Sequence, residues 1–231
     1  MMPPIRSYGN WDSRKTDQEH LVEPYCKYYF IAEGANTEKF YFEKLIDERK
    51  ILGFKDTIDI RFLEKTEKDR DISYPAHLIN FAEKLKKSEE IDFDGKYDKM
   101  VIVFDADIFE NKVSNYEKLL NEKSNSSIYA VTNPAFELFL LLHIDNSYEE
   151  IIVPNYEMII KNEKTQGKTP IYSFLLEKTG KNAKHNPNIG ELALKIDTAI
   201  MQEKKINQDI SNCRGKVTSN IAQIISEIKR S

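Results

Sequence analysis

The feature that most constrains this chain is a change of pattern across one glycine. Residues 28–32 (YYFIA) form a β-prone apolar run that stops at Glu33-Gly34. A helical pattern then begins near Asn36 or Thr37 and carries a second acid, Glu38, in its first turn. This describes a strand, a tight turn and a helix N-terminus. A second run, residues 100–104 (MVIVF), ends in Asp105-Ala106-Asp107. In a parallel sheet both strand ends open on the same edge, where α/β folds place their ligands.

Taken in order, the pattern predicts strands alternating with helices. Residues 1–25 mix Pro3, Pro4, Gly9 and Asn10 with a polar stretch and read as an irregular lead-in. Strands are predicted at 27–32, 57–63, 99–104 and 128–132, and helices at 36–50, 75–87, 114–123 and 135–143. The strand at 57–63 (TIDIRFL) alternates cleanly, whereas the helix at 135–143 is apolar nearly all round and so should be buried. This order implies an α/β fold with a mainly parallel sheet and helices on both faces. The division expected is a lead-in at 1–25, an α/β domain at 26–144 and a helical C-terminal extension at 145–231. Two helical patterns, 189–205 and 217–229, end that extension, and turn signals stand at Pro154, Gly167 and Gly180.

Bulk charge does not announce a partner: 34 basic residues face 38 acidic ones, for a net charge of −4. Only a local basic patch would serve a polyanion. Cys26 and Cys213 are far apart and form no CxxC pair, which argues for reduced thiols rather than a disulfide scaffold or a cysteine-rich zinc site. No apolar run reaches membrane-spanning length, so a soluble cytoplasmic protein with no membrane partner is expected. P-loop and Gly-x-Ser-x-Gly patterns are absent from the sequence, which removes ATPase and serine-hydrolase readings.

The main candidate site is Glu33 with Asp105 and Asp107, with Glu38 close by. Magnesium prefers carboxylate oxygens and binds through one or two protein carboxylates plus waters and substrate phosphate. Such an ion polarises a phosphodiester and activates an attacking water, with Glu33 as ligand or general acid/base. The alternative is that Asp105 and Asp107 cap a turn while Glu33 faces solvent. Glu137, one turn into its helix, either answers the helix dipole or supports the other acids, because an unpartnered buried acid is costly. Asn133, before Pro134, is expected to cap that helix, and His143 to sit at its C-terminus as a cation answering the dipole. Lys178, Lys181, Lys184 and His185 form a basic cluster that is either a solvated loop or a phosphate-positioning patch, with Lys181 and Lys184 as the substrate-binding candidates. Lys65, Lys68 and Arg70 are interleaved with acids and read as solvent-facing charge.

Three segments carry a family resemblance: EGANTE (33–38), FDAD (104–107) and TNPAFELFLLLH (132–143). In order and approximate spacing they resemble the RloB-like family, whose fold is similar to the Toprim domain. The most distinctive is Asn-Pro-x-Phe-Glu opening an apolar helix. The resemblance implies Glu33, Asp105 and Asp107 as Mg²⁺ ligands and catalytic residues for phosphodiester chemistry, with Mn²⁺ as an alternative ion. Glu38 is similar to the second acid in the Toprim motif of the overcoming-lysogenization nucleases. It further implies a DNA or RNA substrate, a place in restriction or phage-defence loci, and an ABC-type ATPase as partner protein. The rival expectation is a non-catalytic Toprim-like module that senses, or binds such an ATPase.

Overall fold

The structure, a computed structural model, describes residues 7–8, 26–65, 74–106 and 113–231. Among the described residues, six strands form one sheet: β1 (Ser7–Tyr8), β2 (Cys26–Ala32), β3 (Ile58–Leu63), β4 (Lys99–Asp105), β5 (Ser127–Asn133) and β6 (Thr218–Ser219). Their spatial order is β1-β3-β2-β4-β5-β6. The four central strands run parallel, and the short outer strands β1 and β6 are antiparallel to β3 and β5. Helices α1 (Thr37–Asp47), α2 (Pro75–Leu85), α3 (Val113–Asn121) and α4 (Phe136–Leu141) each follow one of the central strands. The expected α/β alternation is borne out.

The chain leaves β2 toward one side of the sheet to make β3, then crosses back to make β4 on the other side of β2. That reversal puts the topological switch point between the carboxyl ends of β2 and β4, where doubly wound sheets bind ligands. Alternating side chains divide between two apolar layers. Phe30, Val101, Val103 and Ala130 pack on one face with Phe42 and Leu45 of α1, and with α4. Tyr29, Ile31, Ile102 and Val131 pack on the other with Leu78 and Ala82 of α2. Covered on both faces, β4 buries five residues in a row, Met100 to Phe104, which is why its sequence is a continuous apolar run rather than an alternation.

The C-terminal residues build on the same layer as α1. They comprise a π-helical turn (Tyr148–Ile152), α5 (Tyr156–Lys161), α6 (Pro170–Thr179), a 3₁₀ segment (Pro187–Lys195), α7 (Ile196–Glu203), a 3₁₀ turn (Ile210–Asn212) and α8 (Ile221–Arg230). Three expectations are corrected here. The lead-in supplies β1, which pairs with the outer edge of β3 and covers backbone groups that would otherwise be unpaired. The helix expected at 189–205 is a 3₁₀ segment followed by α7, with Gly190 so close to α1 that a Cβ there would overlap the Phe40 carbonyl. The helix expected from 217 starts at Ile221, because Thr218 and Ser219 pair with β5 instead. Cys26 and Cys213 are both free thiols. Among the described residues, no helix is long and apolar enough to cross a membrane.

Two local assignments also change. Asn133 does not cap α4: Ala135 occupies the cap position, the Asn133-Pro134 peptide is cis, and Asn133 Nδ2 donates to the carbonyls of Lys216 (2.8 Å) and Cys213 (3.1 Å). Asn133 belongs to β5, so its amide ties the strand end to the 213–216 turn. His143 is not a cation at a helix end but a fully buried neutral ring. The Phe139 carbonyl only accepts, so Nδ1 carries the proton and donates to it at 2.9 Å. Nε2 therefore accepts from the Tyr41 hydroxyl, also at 2.9 Å.

Burial pushes the His143 pKa from 6.5 down to about 4. Its stabilising contribution is thus fully present above pH 6.5 and is lost as pH falls through about 4, because the unfolded chain takes up the proton first. That difference corresponds to about 3 kcal/mol. Urea unfolding at pH 7 and pH 4 is expected to show a loss of this size that shrinks in His143→Gln.

Candidate functional site

Glu33 follows β2 directly, and Asp105 is the last residue of β4, its neighbour in the sheet. The Glu33 N–H donates to the Val103 carbonyl at 2.9 Å, which extends the ladder and holds the turn against β4. Its Oε2 accepts a long bond, 3.4 Å, from the Asp105 N–H. Asp105 sits in register with Thr132 of β5, whose hydroxyl donates to Asp105 Oδ1 at 2.5 Å. The two strand-end acids are therefore adjacent at the switch point.

The first turn of α1 supplies Glu38. Its carboxylate folds back over Gly34, where a Cβ would collide with both carboxylate oxygens. Gly34 is needed for that close approach, whatever its torsion angles. Burial is the main force pushing Glu38 up to about pKa 7, and Glu137 adds to it. The N–H groups of Glu38 and Gly34 and the Lys65 ammonium act in the other direction. Asp105 is held well above the usual carboxylate range, first by burial and then by repulsion from Glu137, Glu38 and Glu33, against the pull of the Thr132 hydroxyl. Glu137, in the first turn of α4, is raised by burial and eased by its own N–H and by Lys184. Four acids from three separate elements and one turn thus repel one another in a partly desolvated space.

Glu38, Asp105 and Glu137 line a cavity of about 620 Å³. Its opposite wall comes from the C-terminal part of the chain: Lys164, Lys168, Thr169, Tyr172 and Lys184. The wall is anchored to α1 at two points. Thr37 Oγ1 donates to the Ala183 carbonyl at 3.2 Å, and Asn36 Nδ2 to the Lys184 carbonyl at 3.1 Å.

Of the two lysines singled out in the sequence, Lys184 lines the cavity and Lys181 does not. The Lys181 ammonium is held by Glu191 at 2.6 Å and by the Asn188 carbonyl at 2.9 Å. Lys178 likewise faces Glu150 at 3.7 Å. Lys65, read in the sequence as solvent-facing, donates to the Glu33 carbonyl and acts on Glu38. Asp107, Lys68 and Arg70 lie outside the described residues. Lys164, Lys168, Thr169 and Tyr172 carried no signal in the sequence beyond the turn at Gly167.

The donor set suits a hard divalent cation in chemical type. It is carboxylate oxygen alone, and its other acids raise the pKa of Asp105, which a bound cation would reverse. Among the described residues, no group of three or more His, Cys, Asp and Glu converges tightly enough to hold a metal ion. A Mg²⁺ ion needs only one or two protein carboxylates when waters and phosphate complete its shell, and adjacent Glu33 and Asp105 meet that smaller requirement.

A family model described as RloB-like protein matches residues 28–228, most of the chain. No curated protein and no solved structure matches it.

Proposed function

Since the chain belongs to the RloB-like family, we propose that it is a metal-dependent nuclease, hydrolysing phosphodiesters of nucleic acid within a prokaryotic anti-phage defence system. The observation that carries this reading is Asp105 at the β2/β4 switch point, repelled by Glu137, Glu38 and Glu33 and lining the 620 Å³ cavity with Glu38 and Glu137. Glu33 and Asp105 would hold Mg²⁺ or Mn²⁺, joined by Asp107 from the Asp-x-Asp sequence. When bound, the ion supplies charge neutralisation at the scissile phosphate and lowers the pKa of an attacking water.

The chain's own side chains do the rest. Thr132 fixes the Asp105 carboxylate, leaving the other oxygen of that carboxylate unoccupied by Thr132. Glu38, with a pKa near neutrality, is suited to take or give a proton at working pH. Gly34 lets that carboxylate reach its place. The cationic wall opposite offers positive charge to a phosphate chain.

The test is cleavage of end-labelled single- and double-stranded DNA and RNA with Mg²⁺ or Mn²⁺. EDTA and Glu33→Gln are each expected to abolish it; cleavage that survives both would refute the reading. Gly34→Ala is expected to leave the melting temperature nearly unchanged, since only a flexible side-chain end is displaced, yet to slow cleavage about 100-fold through misplacement of Glu38.

The second reading, a non-catalytic module serving an ATPase partner, draws on the fact that no three acids converge among the described residues. It predicts that Glu33→Gln leaves both partner binding and defence intact.

A further inference from the structure

The wall facing the acids differs from the other basic surfaces nearby. Lys178 and Lys181 are each committed to a glutamate, whereas Lys164, Lys168 and Lys184 make no salt bridge among the described residues. All three line the same cavity as Tyr172. The Lys184 ammonium lies 5.8 Å from the centre of the Tyr172 ring. Burial, and then the Glu137 charge, push the Tyr172 pKa up, so the phenol stands within electrostatic reach of that acid. One aromatic ring thus shares a cavity with three ammonium groups that make no salt bridge among the described residues and with the acids Glu38, Asp105 and Glu137.

That combination is the one used to hold single-stranded nucleic acid: a base stacks on the aromatic face while cations track the phosphates. The cavity size narrows the substrate further. About 620 Å³ is the scale of a pocket that encloses one small ligand, so it takes a nucleotide out of the stack rather than a paired duplex. The geometry points to Lys164, Lys168, Lys184 and Tyr172 as a subsite that holds one unpaired nucleotide of a single-stranded DNA or RNA chain, base on Tyr172 and phosphates on the lysines. This assignment rests on the nucleic-acid reading above and specifies its substrate as unpaired strand or chain end. The residues all follow α5 in the chain, so the subsite joins the C-terminal part of the chain to the β2/β4 edge.

The test is fluorescence anisotropy of the full chain with labelled 12-nucleotide dT and rU strands and a blunt duplex of equal length, all in EDTA. Both single strands are expected to bind at least about ten-fold more tightly than the duplex. Tyr172→Ala is expected to weaken single-strand binding about ten-fold, and Tyr172→Phe, which keeps the ring, to leave it near wild type. Lys164→Ala/Lys168→Ala, on exposed side chains and so without risk to the fold, is expected to lower the slope of log affinity against log salt by about 1.4. Lys181→Ala, outside the cavity, should change neither. Absent single-strand binding, equal affinity for duplex, or unchanged binding in both the tyrosine and the double-lysine variants would overturn the assignment. Because binding is read in EDTA, failure of metal-dependent cleavage leaves this readout intact, and failure here leaves cleavage to be judged on its own assay.

Discussion

Asp105→Asn is expected to reduce metal-dependent cleavage by at least about 100-fold while leaving the melting temperature unchanged or higher. The two effects have one cause. Asp105 is crowded by Glu33, Glu38 and Glu137 in a desolvated position, so removing its charge relieves repulsion in the metal-free fold. The Thr132 hydroxyl, which donates to Oδ1, keeps an acceptor in the asparagine amide, and the β4–β5 pairing is undisturbed. An activity loss paired with a stability gain is the signature of a site held in place against its own electrostatics. A purely structural Asp105 would give the opposite pair, lower stability with whatever activity the remaining fold supports. Thermal unfolding and cleavage rates on the same preparations decide between them.

The largest stability effect is expected at Glu203, far from the acids just discussed. Asn220 stands at the start of α8, where its side chain would ordinarily cap the helix, yet it is diverted to β5. There Oδ1 accepts from the Val131 N–H at 2.7 Å and Nδ2 donates to the Tyr129 carbonyl at 2.9 Å. Glu203, fully buried at the end of α7, takes over the cap. Its carboxylate accepts from the N–H groups of Ala222 (3.0 Å) and Gln223 (2.7 Å) and from the Ser219 hydroxyl (2.5 Å). Burial raises its pKa, and these donors, with Gln208, pull it back.

Glu203→Ala would leave two helix N-terminal donors and a hydroxyl buried without partners. The expected cost is about 3 kcal/mol, above that of an exposed cap because nothing replaces the lost acceptor. For a chain of this length that is roughly a 6–12 °C drop in melting temperature. Glu203→Gln retains one acceptor oxygen and should lose about half as much. A drop below about 0.5 kcal/mol on Glu203→Ala in urea titration would refute the capping role.

What was legible in the sequence follows from how locally each feature is encoded. The strand–helix alternation was readable because β2 to α4 each carry their own period and length. Each of the four central strands lies within one residue of its expected bounds. Glu33 and Asp105 were readable because the end of an apolar run marks a strand end, and parallel strand ends share an edge. Glu38 and Glu137 followed from their place in a first helical turn. Asn133 misled because it has the chemistry of a helix cap and is instead claimed by backbone carbonyls far along the chain, those of Cys213 and Lys216. His143 read as a cation because it stands at the end of the expected helix, where positive charge answers the dipole, whereas complete burial among Tyr41 and Phe139 makes it neutral. Of the cationic wall of the cavity, only Lys184 was legible. Lys164, Lys168 and Tyr172 lie in weakly periodic sequence and reach the site through tertiary packing, of α6 on α4 and of residues 183–184 on α1.

The central claim, that the β2/β4 edge is a divalent-metal site serving phosphodiester chemistry, is tested most directly by calorimetric titration of Mn²⁺ and Mg²⁺. Wild type and Asp105→Asn are compared, with the fold of each verified by thermal unfolding. The account predicts binding in wild type that disappears in Asp105→Asn while the melting temperature holds or rises. Absence of binding in wild type even with a single-stranded oligonucleotide present, or equal binding in the variant, would contradict it.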